Sequence, residues 1–348
     1  KIVIGARSAV FAPLENLGLI VIDEEHESSY KQDSTPRYHA RNVAAKRSEI
    51  ENCTLVLGSA TPALETYRLA KHNKYRLLTL TNRATKVGLP DVAIVDMRQE
   101  LKSGNRTIFS QKLKSSIVDR LKKKQQVILF LNRRGHSSYV FCRECGYIER
   151  CHNCDISLTF HLTRKQLICH HCAAERATVD HCPSCGSMYI RYFGLGTEKV
   201  EQQVKKKFPQ ARVHRMDMDT TSTKDGHQKI LQTFQEGKID ILIGTQMIAK
   251  GLDFPNVTLV GVISADTSLN LPDFRSGERT FNLLTQVAGR SGRGPLGGNV
   301  VIQTYLPEHQ SIQAAQTHDY IQFYQEEIEQ RQHLKYPPFS HSASILMR

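Results

Sequence analysis

Short runs of continuous apolar residues, separated by more polar stretches of helical character, recur along the first hundred residues. They are KIVIG (1–5), LGLIVID (17–23) and CTLVLGS (53–59). A strand that is apolar at every position is buried on both faces, which is typical of a parallel sheet covered by helices. Residues 77–98 resemble a closing strand with a proline-containing exit. The pattern predicts a first α/β unit that, with its linker, occupies residues 1–107.

A second series of buried strands begins after a helical stretch at 110–124. Its members are QVILFLN (126–132), ARVHRMD (211–217), IDILIGT (239–245), VTLVGVIS (257–264) and NVVIQTY (299–305). They predict a second α/β unit over residues 108–140 and 188–306, with a cysteine-rich insertion at 141–187 between its first two strands. After residue 306 the pattern is helical until KYPPF breaks it, and we expect residues 307–348 to start a C-terminal domain.

Length and charge narrow the class of protein. A chain of 348 residues suggests two or three domains. No run approaches the ~18 consecutive apolar residues of a membrane helix and no signal segment stands at the start, so we expect a cytoplasmic location. The net charge of +13 predicts a polyanionic partner, of which nucleic acid is the usual one. Because the chain opens at Lys1 directly in an apolar run, we expect it to be a fragment of a longer protein.

Eight of the nine cysteines form four Cys-x-x-Cys pairs between residues 142 and 185. In a reducing compartment such pairing indicates metal ligation rather than disulfides. Zinc takes four ligands in a tetrahedron, so two pairs close one structural site and four pairs close two. Eight thiolates leave no open coordination position, and both ions are therefore expected to be structural rather than catalytic.

The four pairs can be joined in two ways. In the nested arrangement, which we favour, the inner pairs are separated by 14 residues, the spacing of a zinc ribbon. The inner site then consists of Cys151, Cys154, Cys169 and Cys172, and the outer site of Cys142, Cys145, Cys182 and Cys185. In the sequential alternative, two turns must come together across the five residues between Cys145 and Cys151. Basic and acidic residues of the insertion balance, which favours contact with a partner protein, or shaping of a DNA path, over phosphate binding by bulk charge.

The stretch IVIDEEH places adjacent carboxylates directly after a buried strand, at the edge where open α/β sheets bind ligands. Asp23 and Glu24 suit nucleotide hydrolysis, in which one carboxylate holds Mg²⁺ and the next polarises the attacking water. Taken alone, the stretch is equally explained as acids at the positive end of a helix. LVLGSATPALE (55–65) follows another strand, and it predicts Thr61 as a helix N-cap and Pro62 as the first helical residue.

Two further motifs lie in the second unit, IGTQMIAKGLDFP (243–255) and QVAGRSGRG (286–294). Arg290 and Arg293 end a predicted helix whose apolar face is Phe281, Leu284 and Val287. Three residues apart, the two arginines lie on one helical face and can stabilise charge that develops on a γ-phosphate. By itself, this stretch would be interpreted as a solvated turn.

The order D-E-x-H, S-A-T, G-T-Q-x-x-x-K-G-x-D and Q-x-x-G-R-x-G-R resembles motifs II, III, V and VI of superfamily 2 helicases. Longer stretches are similar to the PriA family of primosomal replication-restart helicases. They are GARSAVFAPLENLGLIVIDEEHESSYKQDSTPRYHARNVAAKR, LNRRGHSS before the cysteine block, GLGTEKVEQQVKKKFP, LPDFRSGERTFNLLTQVAGRSGRG and YPPF. The resemblance covers essentially all 348 residues, and it implies two RecA-like lobes of which the first is truncated.

The family resemblance implies a 3′→5′ DNA helicase that binds abandoned replication forks, hydrolyses ATP and initiates primosome assembly. It implies catalytic roles for Asp23, Glu24, Gln286, Arg290 and Arg293. It implies nucleotide and Mg²⁺ binding by Asp23, Glu24, Gly251, Asp253, Arg290 and Arg293. DNA contacts are implied for Arg7, Tyr30, Lys31, Arg37, Tyr38, Thr245 and Lys250. The implied partners are forked or single-stranded DNA, other primosomal proteins and single-stranded-DNA-binding protein.

The sequence contains no G-x-x-x-x-G-K-[ST] loop to hold the phosphates. We expect that loop, together with an N-terminal DNA-binding domain, to lie upstream of Lys1, and we expect the isolated chain to be inactive as an ATPase. Two alternatives stay open. One is another zinc-bearing DNA translocase, and the other is a non-motor zinc scaffold that retains helicase-like lobes only for assembly.

Overall fold

The computed structural model describes most of the chain. The described residues are 1–80, 88–132, 138–153, 156–161, 164–192, 196–217, 226–245, 248, 254–271, 273–291 and 296–342. The chain divides into two compact units. Unit 1 comprises Lys1–Thr81 with Gln330–Arg348, and unit 2 comprises Asn82–Glu329. Within the described residues, no helix is long and apolar enough to cross a membrane.

Unit 1 contains a parallel pair of strands flanked by helices. Its elements are β1 (Leu19–Ile22), α1 (Ala40–Glu51), β2 (Thr54–Leu57) and α2 (Leu64–Lys71). The strands pair from Leu19 opposite Thr54 to Ile22 opposite Leu57. Apolar side chains on this sheet are exposed, at 54% for Leu19, 59% for Val21 and 44% for Val56. The described part of unit 1 therefore leaves its sheet only partly covered.

The C-terminal segment of unit 1 packs against α2. Arg331 is buried, and its Nη1 lies 4.0 Å from Oε1 of Glu65. The guanidinium of Arg68 lies 4.5 Å from the centre of the Phe339 ring, within range of a cation–π contact. The KYPPF stretch is thus fixed to the helix that follows the S-A-T motif.

Unit 2 is built on a six-stranded parallel sheet with the order β10-β11-β4-β12-β13-β3. Its elements before the insertion are β3 (Asp91–Asp96), α3 (Met97–Lys102), α4 (Gln111–Lys122) and β4 (Gln126–Phe130). The insertion contains β5 (Ser138–Cys142), β6 (Thr159–His161), β7 (Gln166–Ile168), β8 (Glu175–Ala177) and β9 (Ile190–Tyr192). After it come α5 (Thr197–Lys207), β10 (Val213–Met216), α6 (Gly226–Gln235), β11 (Ile241–Gly244), β12 (Val257–Val262), α7 (Asp266–Leu269), α8 (Ser276–Ala288), β13 (Asn299–Thr304), α9 (Gln310–Thr317) and α10 (Tyr320–His333). The last residues of α10, from Gln330 on, belong to unit 1.

The central strands of this sheet are buried along their whole length, as the continuous apolar runs predict. A core cluster joins Leu113 and Ile117 of α4 to Val200 and Val204 of α5 above residues of β4, β11 and β12. The inserted strands form a separate antiparallel sheet with the order β8-β7-β6-β5-β9. The cysteine-rich insertion thus lies between the first two strands of the series predicted for the second unit.

Four local predictions were wrong. Residues 1–5 form no strand, and Ile2 and Ile4 are exposed. The strand predicted to close the first unit is β3, which pairs over its full length with β13 in unit 2. Arg290, predicted to end a helix, lies beyond α8, which ends at Ala288. Helix α2 begins at Leu64 rather than at Pro62, for a reason given below.

Candidate metal centres and nucleotide-site residues

The four Cys-x-x-Cys turns share one backbone construction. In each, the N–H of the first cysteine donates to the carbonyl oxygen five residues later, as in Cys142 to Tyr147, Cys151 to Ile156, Cys169 to Ala174 and Cys182 to Ser187. In the three turns that are described throughout, the N–H of the fifth residue donates back to the first cysteine. That fifth residue has positive φ, and it is Gly146, Ala173 or Gly186. Each of these three turns is closed on itself and brings its two thiols into one cluster.

The outer cluster brings together the side chains of Cys142, Cys145, Cys182 and Cys185, whose Sγ atoms all lie within 4.8 Å of one another. The Sγ atoms of Cys142 and Cys185 are 3.7 Å apart, and those of Cys145 and Cys182 are 3.6 Å apart. Four sulfurs held ~2.3 Å from a tetrahedral zinc ion are about 3.8 Å apart. Burial raises the pKa of the Cys145 thiol to about 12, so its thiolate needs a cation. The arrangement therefore fits one Zn²⁺.

The inner cluster groups Cys151, Cys169 and Cys172. The Sγ atoms of Cys151 and Cys172 are 3.5 Å apart, and the backbone N–H of His171 lies 3.4 Å from Sγ of Cys169. Cys154, predicted as the fourth ligand, lies outside the described residues. Cys151 of the second pair meets both cysteines of the third pair in this cluster, and the first and fourth pairs meet in the outer one, so the described thiols group in the nested arrangement.

The outer cysteine turn lies directly against the sheet of unit 2. A Cβ atom built on Gly146, at φ +80°, would be 2.6 Å from the backbone oxygen of Tyr305, just past β13. Nε of Arg143 donates to the Tyr305 hydroxyl at 3.0 Å, and the rings of Phe141 and Tyr305 meet at 4.9 Å. The insertion is therefore packed on unit 2, and a glycine is required where the two backbones approach.

A buried carboxylate lies beneath this contact. Asp266 accepts hydrogen bonds from Oγ1 of Thr304 and from the N–H of Tyr305, both at 2.9 Å. Burial raises the pKa of Asp266 from 3.8 to about 6. The backbone carbonyl of Asp266 accepts from the side-chain amide of Asn270, whose own backbone carbonyl accepts from the Ser157 hydroxyl of the insertion at 2.5 Å. The start of α7 is thus part of the support for the insertion.

In unit 1, the acidic motif follows β1 as predicted. Asp23 is exposed, and its Oδ1 accepts from the N–H of Glu24 at 2.9 Å. Glu24 has a positive φ of 47°, and its carboxylate lies 3.5 Å from Nδ1 of His26. The same Nδ1 atom lies 2.6 Å from Oγ of Ser59. His26 therefore joins the D-E-E-H and S-A-T motifs and leaves the carboxylates of Asp23 and Glu24 near solvent.

Glu25 is a site residue to which sequence reasoning assigned no role. Its side chain is 1% exposed, and Oε2 accepts from Nη1 of Arg41 at 2.6 Å and from Oγ1 of Thr66 at 3.0 Å. Oε1 accepts from the N–H of Ala63 at 2.7 Å. A carboxylate from another segment thus caps α2, which is why the helix begins after Ala63 rather than at the predicted Thr61 cap. The signal available in the sequence was a third acid in the motif.

The predicted DNA-binding residues of unit 1 surround a short hairpin in which Lys31 pairs with His39. Nη1 of Arg7 donates to the carbonyls of Ser29 and Lys31, and Arg7 also lies 5.8 Å from the centre of the Tyr38 ring. The Tyr30 hydroxyl donates to the carbonyl of Asp23 at 2.8 Å. Arg7 and Tyr30 thus hold the hairpin, while Lys31 and Arg37 are exposed.

Three of the predicted nucleotide-binding and DNA-binding residues of unit 2 are among the described residues. Gln286 is half-buried on α8, whose apolar face is Phe281, Leu284 and Val287 as predicted, and Arg290 lies just beyond its end. Thr245 directly follows β11, and its carbonyl accepts from the N–H of Ile248. Lys250, Gly251, Asp253 and Arg293 lie outside the described residues.

Comparison with known families gives two matches within unit 2. Residues 189–295 match the family described as "Helicase conserved C-terminal domain". Residues 151–176 match "PriA DNA helicase Cys-rich region (CRR) domain". The second match covers the inner thiol cluster and, with the two groups of cysteines, indicates zinc binding.

Curated relatives match nearly the whole chain. It is 56% identical over 345 residues to "Replication restart protein PriA" of Bacillus subtilis, covering 99% of this chain and 43% of the relative. It is 50% identical over 348 residues to the protein of the same name from a Synechocystis species, covering 97% of this chain and 42% of the relative. The chain thus spans less than half the length of these relatives.

Sequence identity to solved structures is much lower. For "Structure of RecG bound to three-way DNA junction" the TM-score is 0.44 at 12% identity, over 90% of this chain and 30% of that one. The curated relatives agree with the helicase and cysteine-rich matches and with the two thiol clusters set beside a parallel α/β sheet. The chain belongs to the PriA family of replication restart proteins.

Proposed function

We propose that the protein containing this chain is an ATP-dependent 3′→5′ DNA helicase that acts in the cytoplasm on stalled or abandoned replication forks. It would initiate primosome assembly there with other primosomal proteins and single-stranded-DNA-binding protein. The observation that carries the proposal is the linkage of Glu24, next to the exposed Asp23, to Ser59 of the S-A-T motif through His26, in a chain 56% identical to a replication restart protein.

In this proposal, bound ATP with Mg²⁺ supplies the phosphoanhydride that is cleaved. Asp23 holds the metal through its exposed carboxylate, and Glu24 orients the attacking water. Gly251, Asp253 and Gln286 contact the nucleotide from unit 2. Arg290 and Arg293 act as arginine fingers that stabilise charge on the transferred phosphoryl group. The phosphate loop is supplied by residues outside this chain.

DNA binding is proposed for both units. Lys31, Arg37 and Tyr38 contact the strand from the hairpin of unit 1, where an aromatic ring can stack on a base while cations hold phosphates. Arg7 and Tyr30 position this hairpin through the hydrogen bonds described above. Thr245 and Lys250 contact the backbone from unit 2.

Two structural Zn²⁺ ions are proposed for the insertion. The outer ion is held by Cys142, Cys145, Cys182 and Cys185, and the inner ion by Cys151, Cys154, Cys169 and Cys172. Thiolates fill all eight positions, so the ions fix the fold of the insertion and take no part in hydrolysis.

The test is made on the longer protein that contains this chain. We expect Glu24→Gln, Arg290→Ala and Arg293→Ala each to lower DNA-stimulated ATP hydrolysis by about 10³-fold or more. Glu49→Gln, an exposed acid on α1, is the matched control and should leave the rate unchanged. Unwinding of partial duplexes with a 3′ or a 5′ tail tests the direction. Unchanged hydrolysis in all three variants would favour the non-motor scaffold.

A further inference from the structure

Helices α4 and α5 carry much of the positive charge of unit 2. Both lead into strands of the same parallel sheet and both pack on the same core cluster, so they run in the same direction on one face of it. The basic residues on or directly after them are Lys112, Lys114, Arg120, Lys122, Lys123, Lys124, Lys199, Lys205, Lys206 and Lys207. The acids on the two helices are Asp119, Glu198 and Glu201.

The charged residues of α4 differ between its two flanks. Leu113 and Ile117 are buried and define the side of the helix that faces the core. Because successive residues are about 100° apart around the helix, the residue after each of these two lies on one flank and the residue before each lies on the other. The first flank contains Lys114, Val118 and Lys122. Asp119, Lys123 and Arg120 lie toward the opposite flank, where Asp119 pairs with Lys123 at 2.9 Å and with Arg120 at 3.3 Å.

On helix α5 the lysines without an ion-pair partner among the described residues lie on the opposite flank from those of α4. Val200 and Val204 mark its buried line, and the positions that precede them and Phe208 are Lys199, Gln203 and Lys207. The following positions are Glu201 and Lys205, which pair at 2.7 Å. The acids that form ion pairs, Asp119 on α4 and Glu201 on α5, therefore lie away from the flank with Lys114 and Lys122 on α4 and from the flank with Lys199 and Lys207 on α5.

The two lysine-bearing flanks lie on the sides of α4 and α5 that are nearest each other. In the strand order β10-β11-β4-β12-β13-β3, α4 leads into β4 and α5 leads into β10. Nη2 of Arg120, on the other flank of α4, donates to Oδ1 of Asn299 on β13, and Glu201, on the other flank of α5, pairs with Arg215 of the edge strand β10 at 3.3 Å. Burial, followed by the charge of Lys207, lowers the pKa of Lys114, and the charge of Glu100 opposes this shift. Nζ of Lys114 donates to the neutral amide oxygen of Asn105 at 3.2 Å. Within the described part of the chain, Lys122, Lys199 and Lys207 have no carboxylate within ion-pair distance. We name Lys114, Lys122, Lys199 and Lys207 the lysine face.

We propose that the lysine face binds the phosphate backbone of double-stranded DNA. Lysines with intervening Ser and Gln side chains are the groups that contact phosphates without reading bases. No aromatic residue lies on the exposed sides of α4 or α5, so the face lacks the rings on which single-stranded bases stack. It also lacks the apolar anchors of a peptide site, since Val118 is its only large apolar residue.

This inference deepens the proposed function, because its ligand is DNA, but it uses none of the nucleotide-site residues. It assigns duplex binding to a helical face separate from the hairpin of unit 1, which is proposed to hold a single strand. The two kinds of contact are those that a protein needs at a fork, where duplex and single strands meet.

The test compares two triple variants of the whole 348-residue chain. The first is Lys122→Gln, Lys199→Gln and Lys207→Gln, from the lysine face. The matched control is Lys112→Gln, Lys123→Gln and Lys205→Gln. All six side chains are exposed, they lie on or directly after the same two helices, and each triple removes the same charge.

Binding of a fluorescein-labelled 24-base-pair duplex is measured by anisotropy across a salt series. For the first triple we expect the affinity to fall by about tenfold or more and the salt slope to fall by about 2.7, which is about 0.9 for each phosphate that is no longer neutralised. The control should bind like the unchanged chain. Equal losses of affinity in both triples would show an effect of net charge alone and would overturn the proposal.

Three other results would also overturn it. They are unchanged duplex binding by the first triple, absence of duplex binding by the unchanged chain, and loss by the first triple of binding to an oligoglutamate peptide with duplex binding retained. The ATPase test of the proposed function is independent of these outcomes. A negative result in the ATPase test would leave the measured duplex affinities unaffected. A negative result in the duplex-binding test would leave the Glu24→Gln result unaffected.

Discussion

Replacing Gly146 by alanine tests whether the cysteine-rich insertion is fixed to unit 2 through its outer turn. Gly146 and Gly186 occupy equivalent positions in the two turns of the outer cluster, with φ of +80° and +71°. Only their surroundings differ. A Cβ on Gly146 would be 2.6 Å from the oxygen of Tyr305, whereas one on Gly186 would have no neighbour within 4 Å.

The control variant Gly186→Ala should cost only the strain of positive φ, about 1 kcal/mol. Ala173 already occupies the same position in an inner turn at φ +60°, which shows that the turn accepts a methyl group. Gly146→Ala carries the same strain and adds a contact about 1 Å shorter than the ~3.5–4.0 Å optimum between non-bonded atoms. A backbone oxygen cannot rotate away, so the turn must shift from Tyr305.

That shift breaks the 3.0 Å hydrogen bond from Arg143 to the Tyr305 hydroxyl. Hydrogen bonds to charged groups contribute about 1.5–3 kcal/mol. We therefore expect Gly146→Ala to destabilise unit 2 by about 2.5–4 kcal/mol, and by at least about 1.5 kcal/mol more than Gly186→Ala.

The assay is urea unfolding of the zinc-loaded chain, with hydrogen exchange at Tyr305 and Leu306 as the local measurement. Zinc content should be unchanged in both variants, because neither removes a thiol. Faster exchange at Tyr305 should appear in Gly146→Ala alone. Equal unfolding midpoints for the two alanine variants would refute the packing of the outer turn on unit 2.

Three further results are expected. Cys151→Ser should lower zinc content from two ions per chain to about one and make the insertion protease-sensitive, since a structural zinc site contributes on the order of 10 kcal/mol; a fall to zero would contradict two independent zinc sites. Glu25→Ala should leave the half-buried Arg41 without its carboxylate partner, lower the free energy of unfolding by about 3–5 kcal/mol and speed hydrogen exchange in α2. Glu24→Ala, which removes a side chain that is 45% exposed, should cause neither effect. Asp266, with a folded-state pKa raised from 3.8 to about 6, stabilises the fold fully below pH 3.8 and loses this contribution as pH rises through about 6. Asp266→Asn should flatten that pH dependence in urea unfolding, and an unaltered slope would contradict the assignment.

Much of the architecture could be predicted because it is encoded locally. A strand buried on both faces must be apolar at every position, so β4, β11 and β12 were recognisable from their own residues. The spacing of a Cys-x-x-Cys turn is likewise set by the turn itself, and so four metal-binding turns could be predicted before any contact between them was known.

Pairings between distant segments depended on tertiary structure. β3 was predicted to close the first unit, but it pairs over all six of its residues with β13, about two hundred residues later. The start of α2 was misplaced because Glu25, 38 residues away, supplies its cap. In both cases the local sequence fits either outcome, and the partner decides.

The sequence by itself determined which chemistry the chain can carry: paired thiols for zinc, adjacent carboxylates after a strand, and a strongly basic charge. Only the tertiary structure decided where these groups act. It grouped the described thiols in the nested arrangement, used Arg7 and Tyr30 to hold a hairpin, and set the lysine-bearing flanks of α4 and α5 beside each other. The physical reason is that residue type fixes ligand and charge character, whereas distance and burial arise only when segments far apart in the chain pack together.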